Sequence, residues 1–288
     1  MWQLLIAFYF VFGATSYMLR RELAQKLPGD NRVINAIFFL FFLFPAGIVL
    51  SLFFPHDLSV GWLNFFFLVV GSIIWPLFYI AAFNANKKVD AGIFAIINNV
   101  SPVATLAIAL PFLNESVNTP QVLGIVLLIF SGIVAASSQL RGHARASTNG
   151  ILLCVVSAVV LGIAVAYERW MLGRVDFGAY LIYGWGSQIA WSVFLAREGL
   201  RQMPALLGRT SELRGTIITW GTSSVLRSIT FILALKLSGS ASLVSGASDF
   251  MSVAVVIAAY FYLKEREHVL YKSLAAIVGV VGLLFIAG

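Results

Sequence analysis

Ten apolar runs, each close to 20 residues long, constrain this chain more than anything else in it: 2–19, 33–54, 62–83, 89–113, 120–139, 150–167, 177–195, 215–235, 240–263 and 269–287. A helix crossing a bilayer needs roughly 20 mostly apolar residues, so each run is long enough or nearly so. Lipid offers backbone N–H and C=O groups no partner, so runs that cross it must be helices. The alternating pattern of an outer-membrane barrel is absent. Of the 288 residues, 60% are hydrophobic and 11% charged, and the mean hydropathy is +0.94. A soluble domain carries about a quarter charged residues, so a soluble enzyme, a disordered chain and a nucleic-acid-binding protein are all excluded, despite a net charge of +7. The expected fold class is an all-α polytopic membrane protein. Arg20 and Arg21 follow the first run and no basic segment precedes it, which reads as a retained span rather than a cleaved signal. One cysteine, Cys154, excludes an intrachain disulfide.

The runs fall into two sets of five. Shifted by about 150 residues, Leu113-Asn114-Glu115 falls on Leu263-Lys264-Glu265, Gly132 on Gly282, Asn99 on Asp249 and Pro102 on Ser252. This predicts a repeat unit over 1–140, a linker at 141–149 and a second unit over 150–288. Five is odd, so the second copy must enter the membrane from the opposite side, giving two inverted five-helix repeats.

Charge tests this separately. The nine loops in order hold 4, 0, 2, 0, 2, 2, 4, 1 and 3 Lys plus Arg, counting Lys272 with the last. The preference for odd or even loops flips between the halves, as inversion requires. One face carries 15 basic residues and the other 3, with Arg227 in a span. Basic loops face the cytoplasm, which puts both termini outside it.

The stretch from Pro102 to Glu115, PVATLAIALPFLNE, resembles the fourth helix of EamA-type members of the drug/metabolite transporter superfamily, with a proline thirteen residues before an acidic helix end. The next helix, with Gly124 and Gly132, is similar to their glycine-bearing fifth helix, and Leu263-Lys264-Glu265 with Gly279 and Gly282 repeats the pattern more loosely. Asn114 stands where the family usually has glycine, and Ser252 replaces the second proline. The resemblance implies a transporter with both termini in the cytoplasm, opposite to the charge count.

The span boundaries enclose four charged residues: Asp90, Arg227, Asp249 and Lys272. Asp90 and Lys272 lie within a turn of a helix end and can snorkel to the interface. Arg227 and Asp249 lie about 12–14 Å from the hairpin turn their helices share, at 1.5 Å per residue. A lone charge at that depth costs several kcal/mol, so each needs a partner or a wet cavity. Two readings stand. One is an ion pair that fixes the packing of helices eight and nine. The other is a site, in which Arg227 attracts a carboxylate or phosphate and Asp249 releases it. Ser242, Ser245, Asp249 and Ser252 share one face, as do Trp220, Ser223, Arg227 and Thr230. Those serines serve a hydrated path or close packing equally well.

The first half has a milder counterpart. Asn98, Ser101 and Thr105 share a face of helix four, with Asn99 the repeat-mate of Asp249. Ser72, Trp75 and Tyr79 share a face of helix three, where Pro76 frees a backbone carbonyl, as Pro102 does on helix four. Such kinks place transport sites or merely adjust packing. Tyr183, Ser187 and Gln188 on helix seven and Tyr167 on helix six are further candidates. Glu115 and Glu265 at span ends are gate residues or headgroup-level charges. His56, His143 and His268 lie in separate loops, so no metal site is expected. The 196–214 loop reads as a solvated surface or a contact for anionic lipid.

These residues point to a secondary transporter, an exporter or exchanger of a small metabolite. It would work by alternating access across a bacterial or archaeal cytoplasmic membrane, with its site between helices three, four, eight and nine. No P-loop or catalytic constellation is present, so neither ATP hydrolysis nor enzymatic activity is expected, and no cofactor. Asp249, the one deep carboxylate inside these boundaries, would couple transport to protons. A monomer suffices, because an internally duplicated chain builds a two-fold cavity alone. The alternative is a flippase or binder of an anionic lipid-linked intermediate.

Overall fold

A computed structural model describes residues 2–26, 31–54, 57–113, 118–141, 148–202, 213–249, 251–264 and 269–287; the side chain of Asp249 is not among the described ones. Ten helical segments account for nearly all of them. They are α1 (Trp2–Lys26), α2 (Asn31–Ser51), α3 (Trp62–Asn86), α4 (91–113), α5 (Thr119–Arg141), α6 (Thr148–Leu172), α7 (177–196), α8 (Arg214–Ser238), α9 (241–263) and α10 (Val269–Ala287). Among the described residues there is no strand. Six of the helices, α1–α4, α6 and α8, are long and apolar enough to cross a membrane, and shorter apolar helices lie within α5, α9 and α10. The chain is a multi-pass integral membrane protein. Large apolar side chains such as Phe41, Trp62, Val126 and Ile277 stay exposed, as lipid-facing positions require.

Short connections at 87–90, 173–176 and 239–240 reverse the chain between neighbours. Most main packing partners come from opposite halves: α1 lies on α8, α6 on α3 and α4, α5 on α10, and α9 on α1 and α4. Registers are antiparallel. Tyr9 packs against Phe231 while Ser16 bonds Ser224 at 2.7 Å, fixing α1 against α8. Asn99 Nδ2 donates to Ser252 Oγ at 2.8 Å, and Thr105 and Ser245 share a hydroxyl contact at 3.5 Å, fixing α4 against α9. The hydroxyl and amide contacts are polar bonds between short side chains, which stabilise helix pairs where lipid supplies no hydrophobic drive. Backbones also approach closely: a Cβ on Gly162 of α6 would stand 2.6 Å from the Ser101 carbonyl of α4.

Several helices are interrupted. α3 turns at Ser72–Ile73 and α4 at Asn99–Val100, each about one turn before a proline, Pro76 or Pro102. Proline has no N–H to donate to the carbonyl four residues back and its ring crowds that carbonyl, so the ladder opens there. Single π-helical turns occupy Phe39–Leu43 in α2, just before Pro45, Tyr180–Gly184 in α7 and Ala259–Leu263 in α9. Such turns often mark functional sites.

Two expectations need correction. Lys272 does not snorkel: it is 3% exposed, and its ammonium donates to Asp90 at 2.8 Å. Asp90 also lies 3.7 Å from Arg21, which donates to the Asn86 carbonyl. The carboxylate at the start of α4 thus gathers cations from α1 and α10. Nor is Arg20 a loop residue. α1 runs on to Lys26, and Arg20 is wholly buried. Removing these two from the 15 basic residues on one face leaves the direction of the asymmetry unchanged. α5 reaches Arg141 and α6 starts at Thr148. Glu115, Glu265, His56, His143, His268, Asn114 and most of the 196–214 loop lie outside the described residues.

Candidate functional site

A cavity lies among α1–α4 and α6–α9, so it draws on both halves. Its lining clusters toward one end of the bundle. Tyr9 is near the Trp2 end of α1, Phe231 near the Ser238 end of α8, Glu168 near the Leu172 end of α6, and Ser245 near the Ala241 end of α9. The opposite end is held by the Arg21–Asp90–Lys272 cluster and by Tyr262, whose hydroxyl donates to Glu22 at 2.9 Å.

Of the residues expected from sequence to form a site, Arg227, Trp75, Tyr79, Ser245 and Gln188 line this cavity, and Ser101 joins them. Arg227 is 5% exposed, and its Nη2 donates to the Tyr79 hydroxyl at 3.0 Å. Its guanidinium also lies 5.7 Å from the Tyr17 ring. Asn98, Asn99 and Trp220 are placed elsewhere. Asn98 donates to the Tyr17 hydroxyl at 3.2 Å, and Asn99 bonds Ser252 across the α4–α9 contact. Trp220 is wholly buried between Phe38 and Phe83. Asp249 and Ser242 have side chains outside the description, and with them the proposed Arg227–Asp249 pair. Tyr167 donates to the Phe67 carbonyl at 2.9 Å, Tyr183 to the Leu58 carbonyl at 3.3 Å, and Ser187 to its own helix.

Two charged residues escaped the sequence reading. Glu168 lines the cavity, is 4% exposed, and accepts the Tyr180 hydroxyl at 2.8 Å on Oε1. Tyr180 opens the π-turn of α7, which offers its ring to α6. Asp249 is therefore not the one deep carboxylate. Arg20 is the second. Neither of its Nη atoms nor Nε has a hydrogen-bond partner, and its guanidinium sits against the rings of Tyr17 at 5.0 Å, Tyr79 at 5.2 Å, and Phe78 and Phe83 at 5.9 Å each. Both residues directly follow an apolar run that ends at the first charge, whereas the helices continue past it. The signal that could have found them is helix length: α1 and α6 are each 25 residues.

The groups in the cavity suit recognition of a polar ligand. The cavity has a cation on α8, a carboxyl group on α6, and hydroxyl, amide and indole groups between apolar walls. No group of three or more His, Cys, Asp or Glu side chains suited to a metal occurs among the described residues. Residues 1–137 match the EamA-like transporter family, which belongs to the drug/metabolite transporter superfamily. No curated protein matches the chain.

Proposed function

We propose that this chain, whose residues 1–137 match the EamA-like transporter family, is a secondary transporter that carries a small anionic metabolite across the cytoplasmic membrane by alternating access. The observation that carries the reading is Arg227. A guanidinium held in a cavity among eight helices costs several kcal/mol to desolvate, and an anion entering the cavity offsets that cost. Charge-assisted hydrogen bonds from a forked guanidinium suit a carboxylate or phosphate. Alternating access would come from two inverted repeats, 1–140 and 150–288. The packing supports that division: α1 on α8 is answered by α6 on α3, while α2 pairs with α7, α4 with α9 and α5 with α10. Exchanging the halves maps this set of contacts onto itself. With the basic loops inside, the cavity faces outward and the Arg21–Asp90–Lys272 cluster closes the cytoplasmic end.

Energy would come from exchange or from a proton gradient, with Glu168 and Asp249 as the groups to carry a proton. The experiment is reconstitution of the purified chain in liposomes loaded with a mixture of small metabolites, followed by mass spectrometry of what leaves. Protein-dependent loss of one or more small anions supports the reading. Loss of cations or neutral compounds alone contradicts it.

A further inference from the structure

Arg20 has no role in the cavity as described, yet it is among the costliest groups in the fold. A guanidinium carries five N–H donors. Those of Arg20 are buried with no hydrogen-bond acceptor, and no described carboxylate pairs with it. Cation–π contact with four rings offsets part of the desolvation but leaves the donors unsatisfied.

Its position supplies the reason. Arg20 and Arg227 share two tyrosines. Tyr79 accepts a hydrogen bond from Arg227 on its hydroxyl and receives Arg20 against its ring, and Tyr17 lies against both guanidiniums. Tyr79 lines the cavity and Arg20 stands behind it, toward the Lys26 end of α1. Two like charges that share these tyrosines repel each other. A doubly charged anion that displaces the Tyr79 ring would reach both.

We propose that Arg20 is a second anion station, which together with Arg227 binds a small dianion of the phosphate monoester kind once the Tyr79 ring moves aside. This rests on the reading of the cavity as an anion transport site and narrows its substrate class. Two planar forks can each offer two parallel N–H bonds to a tetrahedral dianion, whose two charges match the two cations, whereas a monocarboxylate brings one. Station order follows from depth: the anion meets Arg227 first from the cavity, then Arg20 on the way to the closed end. A phosphate monoester presents the same headgroup whether it is free in solution or belongs to a lipid.

The test uses the purified full chain and measures binding of inorganic phosphate, glycerol 3-phosphate, lactate, and phosphatidic acid in mixed micelles. Wild type should bind glycerol 3-phosphate or phosphatidic acid at least tenfold more tightly than lactate. The arm that binds identifies a soluble or a lipid source. Arg20→Met, which fills the aromatic box without charge, should remove that preference and leave lactate binding within twofold. It should also melt no lower than wild type, since replacing an unsatisfied buried charge by a packed apolar chain is not destabilising. Arg20→Lys, which keeps charge but loses the fork, should weaken dianion binding about tenfold, and gives the same test should Arg20→Met not fold. Undiminished dianion preference in the folded variants overturns the proposal. Equal binding of lactate and glycerol 3-phosphate by wild type overturns it too, while leaving the anion cavity standing. Absence of any anion binding overturns both.

Discussion

At the scale of single residues, a few buried charged side chains carry the chemistry. Arg227 should behave as an anchor. Arg227→Gln removes the charge, and because hydrogen bonds to charged groups contribute about 1.5–3 kcal/mol, anion affinity should fall roughly 10- to 100-fold in equilibrium binding. Glu168 should behave as a coupling group. Glu168→Gln keeps the volume and still accepts the Tyr180 hydroxyl, but it cannot exchange a proton. Transport driven by a pH gradient should be lost while exchange of anion for anion persists. Full gradient-driven transport in that variant would leave Asp249 as the coupling carboxylate, and Asp249→Asn, expected from sequence to abolish it, is the companion measurement. Sequence alone found Arg227 because it sits deep within an apolar run. It missed Arg20 and Glu168 because each begins the charged tail of a run. Hydropathy reads such a residue as headgroup-facing, whereas its actual depth depends on where the helix ends and what packs beside it.

At the scale of elements, what holds the bundle is close backbone approach and a few interhelical polar bonds. Gly162→Leu would drive a side chain into the α4 backbone at Ser101, where Thr105 already reaches the Gly162 carbonyl at 3.3 Å. Overpacking of this kind costs about 1–3 kcal/mol or more, so a clear loss of thermal stability in detergent is expected, and an unchanged melt would refute the contact. Asp90→Asn would leave Lys272 buried beside Arg21 without its counter-charge. Since Asp90 is about one-quarter exposed, the expected cost lies at or below the low end for a broken buried pair, about 3 kcal/mol, read from the same melt. The ten helices were legible in the apolar runs, with boundaries displaced mainly where a run ended on a charge. The turns at Ser72–Ile73 and Asn99–Val100 were legible through Pro76 and Pro102. The π-turns at Tyr180–Gly184 and Ala259–Leu263 contain no proline and left no local mark. Asn98 and Asn99 looked like site residues because helical periodicity gives a face, but not which neighbour that face meets. The structure gives both to helix contacts.

For the whole molecule, charge placement and packing bear on different questions. The loop asymmetry bears on orientation, and the pairing of helices across halves bears on how a cavity could open at either end. Orientation is testable with single cysteines in a Cys154→Ser background, Cys154 being wholly buried and apolar in its surroundings. A cysteine at Leu58 should react with an impermeant maleimide from outside intact cells, and one at Lys87 only after permeabilisation. The reverse pattern would place the termini inside, as the family resemblance implies. The most direct test of the central claim is counterflow in proteoliposomes. Vesicles preloaded with the unlabelled anion should take up the labelled anion faster than empty ones, with saturation, and Arg227→Gln should abolish the acceleration. Uptake that is linear in concentration, indifferent to the trapped anion, or undiminished by Arg227→Gln would contradict an alternating cavity built around that arginine.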